Sequence, residues 1–164
     1  MKTKLLIVSF LFFSLSGMAQ SSVTTEEFQI LLGKWEGTLT YIDYTSNTPY
    51  SMPANVTVTE GKNKNQLILH NEYPNEPKAN GKGKINLSKN GQAINGSDLI
   101  SRENLENGDL ELVTESMGKD NNEKALIRIV YVIGKDRFIM RKEAKFENSE
   151  SWLQRNEFSY RRMN

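Results

Sequence analysis

The sequence predicts an all-β protein, an antiparallel up-and-down meander closed into a barrel of about 8–10 strands, with one short N-terminal helix. From residue 34 onward, apolar and polar residues alternate in short segments, which is the period of a strand with one buried face. Gly, Pro and Asn turn signals separate these segments, and no helical pattern follows that could join parallel strands. Because closure protects the edges of a meander, we expect a barrel, with a two-sheet sandwich as the alternative.

Residues 1–19 have the pattern of a secretory signal peptide. Two lysines precede the apolar stretch Leu5–Leu15, and small residues occupy the −3 and −1 positions before a cleavage site after Ala19. The apolar stretch is shorter than the roughly 20 residues that span a bilayer, so an uncleaved membrane anchor is the less favoured alternative. We therefore predict a single mature domain, 20–164, exported by a bacterium to the periplasm or the extracellular space.

The composition of the chain argues against several classes of function. The formal net charge of +1 becomes −1 when Lys2 and Lys4 leave with the signal peptide, which gives no support for nucleic-acid binding or a polybasic membrane patch. No later segment is apolar enough to span a membrane as a helix. The absence of cysteine excludes disulfides, thiol catalysis and thiolate metal sites, and it favours bacterial export over a eukaryotic secretory route.

A short helix is predicted directly before the first strand. Thr24 and Glu27 have the spacing of a capping box ahead of an apolar run that begins at Phe28. Gly33 suits the C′ position, where a left-handed backbone favours glycine. We expect about two helical turns that plug one end of the barrel.

Turn signals divide the rest of the chain into about nine strands. The longest loop is expected around Pro74, Pro77 and Asn80, and Asn107-Gly108 marks a two-residue hairpin. The predicted strands span 34–44, 52–58, 66–73, 82–88, 92–101, 110–116, 125–133, 137–146 and 152–162.

Catalytic and metal motifs are not recognisable in the sequence. His70 is the one histidine, no G-x-S-x-G elbow is present, and a zinc site would need more ligands. The segment 120–123 lacks the spacing of a calcium loop and is interpreted as a turn, as is the phosphate-loop-like segment 81–84. We therefore expect no cofactor and no metal, and an enzymatic function is less favoured than binding.

Alternation along the strands selects the residues that could line a pocket. Asp43 shares its face with Trp35 and Tyr41, so it is expected to point inward near the strand end. It would then either form an ion pair with Lys142 or Arg162 that closes the barrel end, or anchor a ligand. The pocket-lining candidates are Tyr41, Asp43, Asn71, Tyr73, Lys142, Gln154 and Asn156.

The last strand is expected to close the barrel against the first. Arg162 ends this strand and can lie over the ring of Trp35, a cation–π contact worth about 0.5–2 kcal/mol. Arg161 is the alternative partner if a bulge shifts the register by one residue. Trp35 and Arg162 are therefore predicted to be structural residues.

These features resemble the lipocalin-like (calycin) superfamily. The resemblance rests on the N-terminal helix, Gly33-x-Trp35, the meander and the terminal arginine. The motif W-x-G-x-L-x-Y-x-D-Y, at positions 35–44, is similar to that of small exported bacterial proteins of unknown function. The resemblance implies a barrel with a hydrophobic or amphipathic ligand. The T-D-Y motif and disulfides of ligand-transporting lipocalins are absent, which weakens transport more than it weakens the barrel.

Three functional hypotheses follow. The first is an exported lipocalin-like binding protein for a small hydrophobic or amphipathic ligand. The second is an envelope-associated structural or protein-interaction module without a small-molecule ligand, in which loop aromatics such as Tyr50 and Tyr73 make the contacts. The third is an enzyme that uses Asp43, a tyrosine and a basic residue inside the barrel. The sequence leaves the oligomeric state open.

Overall fold

The computed structural model describes residues 21–163, so the predicted signal peptide lies outside the described part of the chain. The all-β prediction is confirmed: helix α1 spans Thr25–Gln29, a 3-10 turn spans Pro77–Ala79, and strands make up most of the remainder. The ten strands are β1 Gly33–Ile42, β2 Pro49–Glu60, β3 Gln66–Glu72, β4 Gly81–Asn86, β5 Ala93–Ile94, β6 Ser97–Asn104, β7 Leu110–Asp120, β8 Glu123–Ile133, β9 Arg137–Phe146 and β10 Leu153–Arg162.

All ten strands belong to one antiparallel sheet that curves into a nearly closed barrel. Its order is β4-β3-β2-β1-β10-β9-β8-β7-β6-β5, so two meanders, β1–β4 and β5–β10, meet where β1 pairs with β10. The other two edges touch at a single bridge between Leu87 and Ile94. There the Asn95 amide donates to the Asn86 carbonyl at 2.8 Å. The barrel is therefore closed by continuous pairing between β1 and β10, but by only one bridge between the ends of β4 and β5.

One predicted strand is two strands in the structure. The segment expected over 92–101 is divided into β5 and β6 by Asn95 and Gly96, whose φ values are 53° and 82°. Two consecutive left-handed residues are the geometry of a tight hairpin turn, which Asn-Gly favours. Asn107-Gly108 carries the same signal, and a single strand across residues 95–96 gives nine predicted strands where the structure has ten.

Helix α1 covers the end of the barrel at which β1 begins. Its predicted capping box is present: the Thr24 side chain accepts from the Glu27 amide, and the Glu27 carboxylate accepts from the Thr24 amide. Glu27 also forms an ion pair with Arg102 on β6. The helix and the barrel end together form the floor, whose fully buried side chains include Phe28 of α1, Leu31, Trp35, Leu67, Ile94, Leu112 and Phe138.

The helix ends earlier than predicted. Ile30 is its C-cap, and Gly33, with φ at 127°, begins β1 rather than occupying C′. Side chains from the barrel instead satisfy the carbonyls of the C-cap and of the two residues that follow it. Trp35 Nε1 donates to the Leu31 carbonyl at 2.8 Å, and Arg162 donates to those of Ile30 and Leu32. Charged and ring donors thus replace the glycine cap.

Glycine is required at position 37, where a Cβ atom would collide with the backbone of β10. A Cβ atom on Gly37 would lie 2.0 Å from the carbonyl oxygen of Ser159 on β10. That separation is far inside van der Waals contact, so any side chain would push the two strands apart. The Gly37 position of the W-x-G motif is explained by this approach.

Candidate functional site

The barrel interior changes from sealed to accessible along its axis. At the floor, inward-facing side chains are almost completely buried, as with Trp35 and Phe138. Farther along the same faces, apolar side chains pack against this core but keep part of their surface exposed. They are Leu39, Tyr73, Ile129, Met140 and Phe158. Because alternation directs these side chains inward, their exposed surface faces the inside of the barrel, which we call the lumen.

We call the end of the barrel opposite α1 the mouth. The loops at this end are 43–48, 73–80, 121–122 and 147–152, and they connect β1 to β2, β3 to β4, β7 to β8 and β9 to β10. Tyr41 and Tyr50 face each other across β1 and β2 near the mouth, with ring centroids 5.4 Å apart. Aromatic rings therefore border the opening.

Three of the predicted pocket residues lie side by side. Asn156 on β10 is the register partner of Tyr41 on one side and of Lys142 on the other. All three share the inward faces of their strands and are partly exposed. The three side chains therefore form one polar patch on the inward face of the sheet, and their role in binding stays a prediction.

Asn71 and Tyr73 lie on the other side of the barrel. Asn71 is the partner of Val56, so it faces inward, and Tyr73 packs against the core. Burial raises the pKa of Tyr73 above its ordinary value. This half-buried position fits a lumen residue better than the exposed docking residue that the interaction hypothesis needs.

The expectation that Asp43 points into the barrel is wrong. Asp43 follows the end of β1, and its Oδ1 accepts from the backbone amides of Thr45 and Ser46 and from the Ser46 hydroxyl. These hydrogen bonds, those of Ser46 first, lower the pKa of the Asp43 carboxyl. An aspartate at a strand end can organise its own turn in this way, and here that local bonding replaces both proposed interior roles.

The expectation that Gln154 lines the lumen is also wrong. The register between β9 and β10 shifts between Gln154 and Asn156, so Arg155 is the extra residue of a β-bulge. Gln154 is exposed opposite Glu143, whereas the side chain of Arg155 is only 5% exposed. The bulge breaks the alternation and buries the arginine in place of the glutamine.

Arg155 belongs to a group of four side chains at the mouth, which we call the mouth cluster: Tyr44, Asp120, Lys142 and Arg155. The buried Asp120 Oδ1 accepts from Lys142 Nζ at 2.8 Å and from the Tyr44 hydroxyl at 2.9 Å. Arg155 Nε lies 3.1 Å from Asp120 Oδ2, and its guanidinium lies 3.7 Å from the centroid of the Tyr44 ring. Four separate segments of the chain therefore meet at this point.

The mouth cluster is incompletely paired. The approach of Arg155 Nε to Asp120 Oδ2 is an ion pair by distance but lacks the alignment of a hydrogen bond. Both atoms, and Arg155 Nη2, are buried without a hydrogen-bond partner in the described structure. Buried polar atoms are nearly always satisfied in proteins, so these three are an unusual feature of the site.

Sequence reasoning missed this cluster, although part of the signal was present. Asp120 continues the inward alternation of Leu110, Leu112 and Thr114 along β7, yet it was assigned to a turn. Arg155 could not be recognised by alternation because the bulge inverts its face.

Tyrosines inside the barrel are held in the neutral form. Burial raises the pKa of Tyr131 to about 12, partly opposed by a hydrogen bond with Asn95. Burial, with a smaller contribution from Tyr73, raises the pKa of Tyr160 even further above its ordinary value. These phenols act as neutral polar groups rather than as proton acceptors at neutral pH.

At the floor, Arg162 lies over Trp35, with its guanidinium carbon 4.0 Å from the ring centroid. Besides the carbonyls of Ile30 and Leu32, it donates to the carbonyl of Lys135. Trp35 also meets Phe138 edge to face, at 5.9 Å between centroids. Arg162 thus joins β1, β10, the segment after α1 and the turn before β9.

Two further observations concern residues 21–163. They contain no group of three or more His, Asp or Glu side chains that could hold a metal ion, and no helix long and apolar enough to cross a membrane. His70 lies on β3, with Nε2 3.4 Å from the Thr59 hydroxyl.

Comparison with known proteins supports the architecture. No protein-family model and no curated sequence matches the chain. Among solved structures, the crystal structure of Rv2717c from M. tuberculosis is similar, with a TM-score of 0.55 at 11% sequence identity. The match covers 88% of this chain and 100% of that one. At this identity the likeness shows a shared barrel fold, and the more specific lipocalin resemblance stays a prediction.

Proposed function

We propose that this protein, exported and processed to residues 20–164, binds a small hydrophobic or amphipathic molecule in the barrel lumen. The observation that carries the proposal is the change of burial along the inward faces. The floor is closed by α1 and fully packed, whereas Leu39, Met140 and Phe158 keep exposed surface. An apolar concave surface with a few polar groups at its entrance is typical of small-molecule sites.

The polar patch at the entrance favours an amphipathic ligand over a purely apolar one. Tyr41, Lys142 and Asn156 lie together above the apolar wall formed by Met140 and Phe158. A ligand aligned with the barrel axis would place its apolar part against this wall and its polar part at the mouth. This arrangement involves no reaction of the ligand, so binding alone accounts for the site.

Titration with the neutral apolar dye N-phenyl-1-naphthylamine tests this function. We expect saturable fluorescence enhancement with one dye per chain. Met140→Trp places a larger side chain in the lumen and is expected to weaken dye binding by about tenfold or more, because the added volume competes with the dye. Met117→Trp is the matched control, because Met117 lies on the outer face of β7 and is 72% exposed.

Each outcome of the titration separates the hypotheses. Binding that responds equally to both substitutions would place the dye outside the lumen and contradict the proposal. No saturable binding by the unmodified protein would favour the alternative, an envelope-associated structural or interaction module. Thermal unfolding of both variants checks that the barrel remains folded.

A further inference from the structure

We propose that the mouth cluster binds the anionic head group of a single-chain amphipathic molecule whose apolar chain lies in the lumen. This inference rests on the lumen-binding function proposed above and specifies the chemical class of its ligand. It is carried by the mouth cluster, which combines an excess of positive charge with buried, unpaired donors.

The charge excess follows from the composition of the cluster. Lys142 and Arg155 share one carboxylate, that of Asp120, and within residues 21–163 no other carboxylate lies within 4.0 Å of either cation. Tyr44 donates its hydroxyl proton to Asp120 Oδ1 and adds no formal charge to the cluster. The cluster therefore carries a formal charge of +1 beside a largely apolar lumen, where an anion would be attracted strongly.

The unpaired donors indicate where the anion would be held. Arg155 is 95% buried, its Nη2 lacks a partner, and the Tyr44 ring covers one face of its guanidinium. Lys142 Nζ has three protons, and one is directed to Asp120 Oδ1. An oxyanion that accepts charge-assisted hydrogen bonds from Nζ lies beside this guanidinium charge, since both cations contact the carboxylate of Asp120.

The position of Lys142 connects this head-group site to the lumen. Lys142 follows Met140 on the inward face of β9, and its register partner Asn156 precedes Phe158 on the inward face of β10. A head group held by Lys142 thus has an apolar wall directly beside it, toward the floor. The same charge disfavours cationic amphiphiles, which adds a repulsive element to the selectivity.

A carboxylate and a phosphate monoester share the required chemistry, so the experiment includes both. Four ligands with the same twelve-carbon chain would compete with N-phenyl-1-naphthylamine, each below its critical micelle concentration or, for the alcohol, below its solubility limit. They are laurate, dodecyl phosphate, dodecanol and dodecyltrimethylammonium. We expect at least one oxyanion to bind about tenfold more tightly than dodecanol, and the ammonium to bind most weakly. The tighter of the two oxyanions identifies the head group.

Lys142→Met removes the excess charge and leaves Asp120 paired with Arg155. We expect the preference for the oxyanion over dodecanol, measured as the ratio of their dissociation constants, to fall to about twofold or less. Lys145→Met is the matched control, since Lys145 lies on the outer face of the same strand, opposite Leu126. Arg155→Met is a second variant that removes the unpaired guanidinium donors, with thermal unfolding to verify that it folds.

The outcomes distinguish this inference from the function on which it rests. Equal affinity for oxyanions and dodecanol in the unmodified protein would overturn the anion site while leaving lumen binding intact. An oxyanion preference that survives both Lys142→Met and Arg155→Met would place the anion elsewhere and also overturn it. Failure of the dye and all four ligands to bind would instead overturn the proposed lumen function.

Discussion

Arg162 and Arg161 are adjacent on β10 and have opposite environments. Arg162 stacks on Trp35 and donates to three backbone carbonyls, whereas the Arg161 side chain is 80% exposed and pairs with the partly exposed Glu36. Hydrogen bonds from a charged donor to otherwise unpaired carbonyls stabilise a fold far more than a solvent-exposed ion pair does. Sequence position alone does not separate the two arginines.

Substituting each arginine by methionine measures this difference. We expect Arg162→Met to lower the free energy of unfolding by about 2–3 kcal/mol, because carbonyls after α1 lose their donors. Arg161→Met is expected to change it by less than about 0.5 kcal/mol. Urea denaturation followed by tryptophan fluorescence gives both values, and equal losses would show that the stack on Trp35 is not stabilising.

The orientation of some single residues could be predicted from the sequence, and that of others could not. Tyr41, Lys142 and Asn156 could be placed on the lumen wall because strict alternation holds between their strands. Asp43 could not, because a carboxylate at a strand end chooses between the interior and its own turn according to loop geometry that alternation does not encode. Arg155 could not be predicted for a different reason. It is the extra residue of the bulge, and the bulge reverses which residues of β10 before Asn156 face inward.

At the scale of elements, α1 is held to the barrel by Glu27 as well as by apolar packing. Burial of Glu27 acts to raise its pKa, but hydrogen bonds from Thr24 and the charge and hydrogen bond of Arg102 outweigh it, so the pKa lies below 4.5. A carboxyl with a lowered folded-state pKa stabilises the fold above its unfolded pKa, and this contribution is lost as the pH falls.

Glu27→Gln tests whether the ionised Glu27 carboxylate stabilises the fold in a pH-dependent way. We expect the substitution to destabilise the protein at pH 7, and the difference from the unmodified protein to shrink as the pH falls through 4.5 and below. Glu26→Gln is the control, because Glu26 lies in the same helical turn and is exposed. Denaturation curves at pH 7, 5 and 3 give the comparison, and a difference that does not vary with pH would contradict the assignment.

Elements were predicted best where side-chain pattern and turn chemistry agreed. The capping box gave the start of α1, and alternation gave the strands from β7 onward to within a few residues. The sequence misplaces the helix end because the carbonyls of Ile30 and Leu32 accept from Arg162, which lies 132 and 130 positions further along the chain. Long-range capping leaves no local signal.

For the whole molecule, the N-terminal limit of the folded domain can be tested directly. Val23 is buried, its amide donates to the Gly91 carbonyl at 3.0 Å, and Thr24 caps α1. We expect a chain of residues 25–164 to be less stable than 20–164 by about 2–3 kcal/mol, from one buried valine and one helix cap. Calorimetric unfolding of both chains measures this, and equal stability would show that the domain begins after Thr24.

The barrel architecture could be predicted from the sequence, whereas the lumen and the mouth cluster could not. Strand number and antiparallel order depend on local turns, which Gly, Pro and Asn report. The lumen depends on how far side chains from opposite walls fill the space between them, and the mouth cluster depends on four segments that converge there. Neither the size of the lumen nor the composition of the mouth cluster can therefore be predicted from one continuous segment of the sequence.

The pairing of β1 with β10 has a consequence for the time course of folding. Each meander can form from neighbouring hairpins, but the contact of Arg162 with Leu32 joins residues 130 positions apart. Closing so long a stretch of chain has an entropic cost that is repaid when the two strands align, and non-local pairing of this kind slows folding. The seam between β1 and β10 is therefore expected to form last, after both meanders, and to set the rate at which the barrel appears.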